Sequence, residues 1–142
     1  MIESNREIKK PSEKREIMPR FEASALRGYC VSVLTASGVE RSCAEAVADA
    51  LIDAELTGVS THGVSRLAVY MQRMDAGVMS RENNIRIVRE STSTLVVDAG
   101  NSLGAAAAKF AMERCIAKAK ETGCCFASVH SSNHFGTAAY YT

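Results

Sequence analysis

No tryptophan occurs in this chain, and phenylalanine and tyrosine appear only four times each. So few aromatic faces exclude a stacking platform for single-stranded nucleic acid. An excess of one charge is missing too. Seventeen Lys and Arg stand against sixteen Asp and Glu, and a formal net charge of +1 builds no field for nucleic acid or an anionic membrane. No run reaches the ~18–20 consecutive apolar residues of a membrane span. Residues 1–20 carry ten charges and no apolar central stretch, so they do not read as a secretory leader. The expectation is a cytoplasmic protein with no nucleic-acid and no membrane partner.

Other motifs are absent as well. The five cysteines, at 30, 43, 115, 124 and 125, are odd in number and include an adjacent pair. They offer neither a disulfide framework nor C-x-x-C zinc spacing, and read as reduced, mostly buried thiols. Neither H-E-x-x-H nor G-x-G-x-x-G occurs, so a metalloprotease helix and a Rossmann phosphate loop are not indicated. Proline is confined to Pro11 and Pro19, which leaves the later helical patterns uninterrupted.

What is present is a chain of 142 residues, 46% apolar, enough for one compact domain with a core. Residues 1–18 form a separate charged block, read as a disordered arm; its mixed signs argue against a nucleic-acid tail. Residues 19–78 read as a helical subdomain. Ala23, Leu26, Cys30, Val33 and Leu34 recur at helical steps and Gly38 stops them. Ser42 and Glu45 have capping-box spacing at the start of a second helix, with Val47, Leu51 and Ala54 as its stripe and Gly58 as its end. A third helix is expected from Thr61 or His62 to Gly77, with Leu67, Met71 and Met74 buried.

The period changes after residue 78. Ile85, Ile87 and Arg89, then Leu95 to Val97, predict a hairpin. Asn101 and Ser102 are expected to open a long helix reaching about Glu121, with Ala108, Met112, Cys115 and Ala119 on one side. Cys125–Val129 reads as a buried strand followed by a loop over 131–136. The fold class is therefore α/β (α+β), with 79–142 as the first part of an α/β domain.

Two constellations carry chemistry. If a helix runs from His62, then His62, Arg66 and Tyr70 share one face beside the apolar stripe. Arg offers a fork for a carboxylate, His moves a proton near neutral pH, and the Tyr and Thr61 hydroxyls orient an oxygen. The same residues also read as a capped helix start with a surface Arg and a half-buried Tyr. The second constellation, His130-Ser131-Ser132-Asn133-His134-Phe135-Gly136, follows a predicted strand, where α/β proteins place functional loops. His134 suits a general base with Asn133 orienting it. His130 reads as a partly buried structural histidine, and a His130–His134 metal pair lacks further ligands. Gly100 and Gly104 read as turn chemistry before the long helix, with an anion at the helix N-terminus as the alternative.

The runs Leu56-Thr57-Gly58-Val59-Ser60-Thr61-His62-Gly63, Arg66-Leu67, Tyr70, Arg73-Met74 and Gly77 are followed in order by further matches. These are Val97-Asp98-Ala99-Gly100 with Gly104, Lys118 to Gly123, and Ser132-Asn133-His134-Phe135-Gly136 with Tyr140-Tyr141. Together they resemble the malate/L-lactate/ureidoglycolate dehydrogenase family, which also holds sulfolactate dehydrogenases. The resemblance covers about residues 20–142. It implies the N-terminal part, truncated, of a non-Rossmann sulfolactate/malate dehydrogenase-like fold, NAD or NADP as cofactor, and a homodimer. It implies interconversion of a small 2-hydroxy acid and its 2-keto acid. By residue, it implies acid/base duty for His62 and His134, carboxylate binding by Arg66, and substrate contacts from Thr61, Tyr70 and Asn133. No metal is implied. The family's enzymes are considerably longer, so most cofactor contacts are expected beyond the position matching Thr142. The alternative is a truncated, inactive fragment that folds or dimerises without cofactor.

Overall fold

The computed structural model describes residues 20–141; the expected arm over 1–18 lies outside them. The elements are α1 (Ala23–Ala36), α2 (Arg41–Leu56), a 3-10 turn (Ser60–His62), α3 (Arg66–Asp75), β1 (Arg86–Glu90), β2 (Thr94–Asp98), α4 (Gly104–Thr122), β3 (Phe126–His130) and a second 3-10 turn (Ala138–Tyr141). The glycine-stop reading of the helices holds: Gly123 follows α4 at φ 87°, and Gly38, Gly58 and Gly77 are likewise left-handed.

One core joins the helical part to α4. Cys30 and Leu34 of α1 meet Val47 and Leu51 of α2, Leu67, Tyr70 and Met74 of α3, and Leu103, Ala105 and Ala106 at the start of α4. Each large side chain removed from water contributes about 1.5–3 kcal/mol. Alanines at 44, 46, 48 and 50 of α2 and at 105, 106, 107 and 111 of α4 are buried, so small side chains line the approach of these packed helices.

The sheet has the order β1-β2-β3. β1 and β2 form the expected antiparallel hairpin, with an irregularity between Ile87 and Arg89. β2 and β3 run parallel, joined by α4, so Asp98 and His130 stand side by side at their ends. Leu95 and Val97 are the buried residues of β2.

Three local expectations are corrected. Ser42 lies inside α2 and its hydroxyl donates to Glu40, while Glu45 pairs with Arg41; the N-cap position is Glu40 and no capping box forms. α4 begins at Gly104, because the buried Ser102 hydroxyl is committed to the 82–84 loop, donating to the Glu82 carbonyl and accepting from Asn84 N–H. The side of α4 bearing Ala108, Met112, Cys115 and Ala119 is only half buried. Strand β3 is not buried either: its residues alternate exposed and intermediate, since it forms the sheet edge and only α4 covers it. Between α4, β3 and the second 3-10 turn, an apolar cleft of about 640 Å³ opens against Met112, Cys115, Phe126, Val129, Phe135 and Tyr141.

Candidate active site

Residues 57–66 do not continue one helix. After α2, Val59 N–H returns to the Ala54 carbonyl and His62 N–H to that of Val59, closing a 3-10 turn. The Glu55 carboxylate then accepts the Val64 N–H at 2.8 Å. Gly63 packs on that same carboxyl group, where a Cβ would stand 2.9 Å from Glu55 Cγ and nearer still to its carboxylate. His62 is therefore outside α3, and the expected single helical face for His62, Arg66 and Tyr70 is corrected. Arg66 and Tyr70 do share a face of α3, one turn apart, and Arg73 follows one turn later.

The break nonetheless brings His62 to the second constellation. Its ring centroid lies 5.1 Å from that of His134. Tyr70, 64 positions earlier in the chain, places its hydroxyl 2.8 Å from His134 Nδ1. Thr61 serves both neighbours: its hydroxyl is 3.0 Å from His62 Nδ1, and its carbonyl accepts the Arg66 Nε–H at 2.7 Å. Asn133 is tied down at both ends. Its amide nitrogen reaches the Asn101 carbonyl, the Asn101 side-chain oxygen and the Ser102 carbonyl, all at 3.0 Å, and its Oδ1 accepts from Arg73 at 3.4 Å. Asn101 itself holds φ 59°, a conformation asparagine tolerates better than most residues.

A cavity of about 330 Å³ lies against Arg66, Tyr70, Arg73, Met79, Asn133 and His134, with Val69 and Ser132 completing its lining. Partial burial holds the His134 imidazole below its usual pKa, and the charges of Arg66 and His62 push the same way. Burial raises the Tyr70 hydroxyl to about 12, with Arg66 opposing, so Tyr70 stays protonated at neutral pH.

His130 departs from expectation. It is exposed rather than partly buried, beyond the sheet end, with Nδ1 3.8 Å from Asp98 and 3.0 Å from the Ser131 hydroxyl. Among the described residues no group of three or more His, Cys, Asp or Glu is arranged to hold a metal ion. Arg73 is the cavity residue that reasoning from single motifs missed. Its spacing, seven after Arg66 and three after Tyr70, was the available signal. Glu55 was missed because nothing local marks a carboxylate that acts nine residues away.

Comparison with known proteins identifies the family and the fold. The sequence model of the family described as malate/L-lactate dehydrogenase matches residues 21–142. L-sulfolactate dehydrogenase of Methanothermobacter thermautotrophicus is 39% identical over 126 residues, covering 89% of this chain and 36% of that protein. The structure of malate dehydrogenase from Pyrococcus horikoshii superposes with a TM-score of 0.84 at 37% identity, covering 87% of this chain and 35% of that one. Sulfolactate dehydrogenase from Methanocaldococcus jannaschii gives 0.82 at 35% identity, covering 84% and 35%. The chain belongs to the malate/L-lactate dehydrogenase family. It spans about a third of the length of these relatives.

Proposed function

We propose that this chain carries the acid-binding and proton-transfer part of an NAD(P)-dependent oxidoreductase. The reaction interconverts a small 2-hydroxy acid, of malate, lactate or ureidoglycolate type, and its 2-keto acid. The observation that carries the reading is the Tyr70–His134 hydrogen bond on the wall of a cavity that Arg66 also lines.

Each residue's part follows from its contacts. Arg66 Nε is occupied by the Thr61 carbonyl, which orients the guanidinium and leaves its terminal nitrogens for a carboxylate. His134, biased toward its neutral form, takes the proton of the 2-hydroxyl. In the tautomer suited to this, Nδ1–H donates to the Tyr70 oxygen and Nε2 keeps its lone pair. His62, against the His134 ring, hydrogen-bonds the same oxygen or assists the proton's transfer. Thr61 orients His62, and Asn133 fixes the loop that bears His134.

The start of α4 does not fit a dinucleotide's phosphates. It is covered by the carbonyl oxygens of Asn133 and His134, which oppose a pyrophosphate where a free helix N-terminus would attract one. Most NAD or NADP contacts are therefore assigned beyond the position of Thr142. A homodimer remains part of the proposal by family membership.

The test has two parts. The purified chain is titrated with NADH and NADPH by fluorescence and assayed for turnover with 2-keto acids. In a version extended by the remaining segment that the relatives carry, His134→Ala lowers kcat by roughly 10²–10⁴. Near-normal turnover of that variant refutes the assignment. The apolar cleft favours a second reading for the chain by itself, self-association without cofactor, because Phe126 is 69% and Phe135 46% exposed. Dimerisation with no nucleotide bound is its expected result.

A further inference from the structure

Among the described residues, Arg27, Arg41, Arg81 and Arg86 each pair with a carboxylate: Asp49, Glu45, Asp75 and Asp98. Arg20, Arg66, Arg73, Arg89 and Arg114 do not, and of these five Arg66 and Arg73 are the two that line the cavity. Their hydrogen bonds go to neutral oxygens, the Thr61 carbonyl and the Asn133 side-chain amide. Both line the 330 Å³ cavity, and no Asp or Glu lines it with them. Tyr70 stays protonated and an imidazole carries no negative charge, so neither Tyr70 nor His134 offsets the two positive charges.

The spacing of the two forks is informative. Seven residues of α-helix rise ~10 Å, and Tyr70 with His134 stands between the ends. Long side chains on both flanks narrow the gap that a ligand must span. Asn133, which lines the same cavity, accepts from Arg73 at 3.4 Å and is itself anchored to Asn101 and Ser102. A receptor with two uncompensated guanidiniums on either side of a proton-transfer group suits a ligand with an anionic group at each end and a hydroxyl between.

The geometry points to Arg73 as the specificity-determining residue of this site, receiving a second carboxylate or sulfonate so that the dianionic hydroxy acid is preferred over the monoanionic one. This rests on the reading of the cavity as a hydroxy-acid site. Arg66 takes the carboxylate next to the reacting carbon, which every such acid has. Arg73 takes the group at the far end, which malate has and lactate lacks.

The test is equilibrium binding of L-malate and of L-lactate to the full chain by calorimetry, with Arg73→Gln, Arg73→Lys and Arg66→Gln as variants. One charge-assisted hydrogen bond sets the expected scale, a factor on the order of ten. Malate is expected to bind about tenfold tighter than lactate. Arg73→Gln removes that preference by weakening malate alone, Arg73→Lys keeps most of it, and Arg66→Gln weakens both acids. Equal affinities in the native chain, or an Arg73→Gln effect of the same size on both acids, overturn the assignment of Arg73 while leaving the hydroxy-acid site standing. If neither acid binds the native chain, the hydroxy-acid reading falls and the inference falls with it.

Discussion

Replacing Gly104 by alanine tests how rigidly the His134 loop is mounted. A Cβ at this position would stand 2.5 Å from the His134 carbonyl oxygen, closer still to that of Asn133, and 2.6 Å from the His134 carbonyl carbon; ordinary contact begins at 3.4 Å. The obstruction is backbone on both sides, so no side chain can rotate away. To restore ordinary contact, something must retreat by more than the difference between 2.5 and 3.4 Å, because the Asn133 oxygen is nearer still. The helix cannot easily yield, because Leu103, Ala105 and Ala107 are buried. The loop cannot yield freely either, since Asn133 ties it to Asn101 and Ser102. Overpacking of this kind costs about 1–3 kcal/mol. Alanine's helix preference returns up to about 1 kcal/mol. The net loss is about 1–2 kcal/mol, or roughly 4–8 °C in Tm for a chain of this size. The displaced loop also changes the partial burial of His134 that lowers its pKa, so the His134 titration seen by NMR shifts. Gly28→Ala is the control: the site is exposed in α1 with nothing within 4 Å, and the substitution stabilises by about 0.5–1 kcal/mol. A Gly104→Ala protein with unchanged or higher Tm and an unmoved His134 titration refutes the reasoning.

Three further outcomes are expected. Because the folded His134 pKa lies below the unfolded value near 6.5, the unfolded chain binds the proton more tightly; this contribution to stability is complete above about pH 6.5 and is lost as pH falls through the folded pKa. Replacing His134 by a residue that does not titrate should flatten that part of the stability profile measured by urea unfolding, and an unchanged slope there contradicts it. Glu55→Ala leaves the Val64 N–H without its acceptor and is expected to cost about 1–3 kcal/mol, with faster amide exchange across residues 60–65; protection equal to the native chain's argues against the buttress. Phe126→Asp places a charge at the exposed edge of the apolar cleft, and should reduce self-association in light scattering while moving Tm by less than about 1 kcal/mol in stability terms.

Much of this structure was legible in the chain because it rests on local rules. Glycine stops, helical stripes and the period-two runs located four helices and three strands to within a few residues. The failures share a cause. Ser42 and Ser102 carry cap chemistry, but their hydroxyls found partners fixed by position, Glu40 in one case and the 82–84 loop in the other. The start of α3 slipped past His62 because a carboxylate on the preceding helix captured the Val64 N–H. β3 has the apolar residues of a covered strand but lies at a sheet edge, and periodicity cannot tell which neighbours a strand will have. For the site, individual motifs named His62, Arg66, Tyr70 and His134. Their proximity is a matter of tertiary structure. Arg73 carried a helical-spacing signal, but its place in the site became clear with its partner Asn133 and the shared cavity in view.

Strand β3 has practical weight. Its inner side is zipped to β2 residue by residue from Phe126 to His130, while its outer row of amides and carbonyls has no partner strand among the described residues. An open edge of this kind is a template for pairing with another strand, and the apolar cleft lies beside it. Concentration-dependent association is therefore the expected behaviour of this polypeptide, and light scattering across a dilution series is its check.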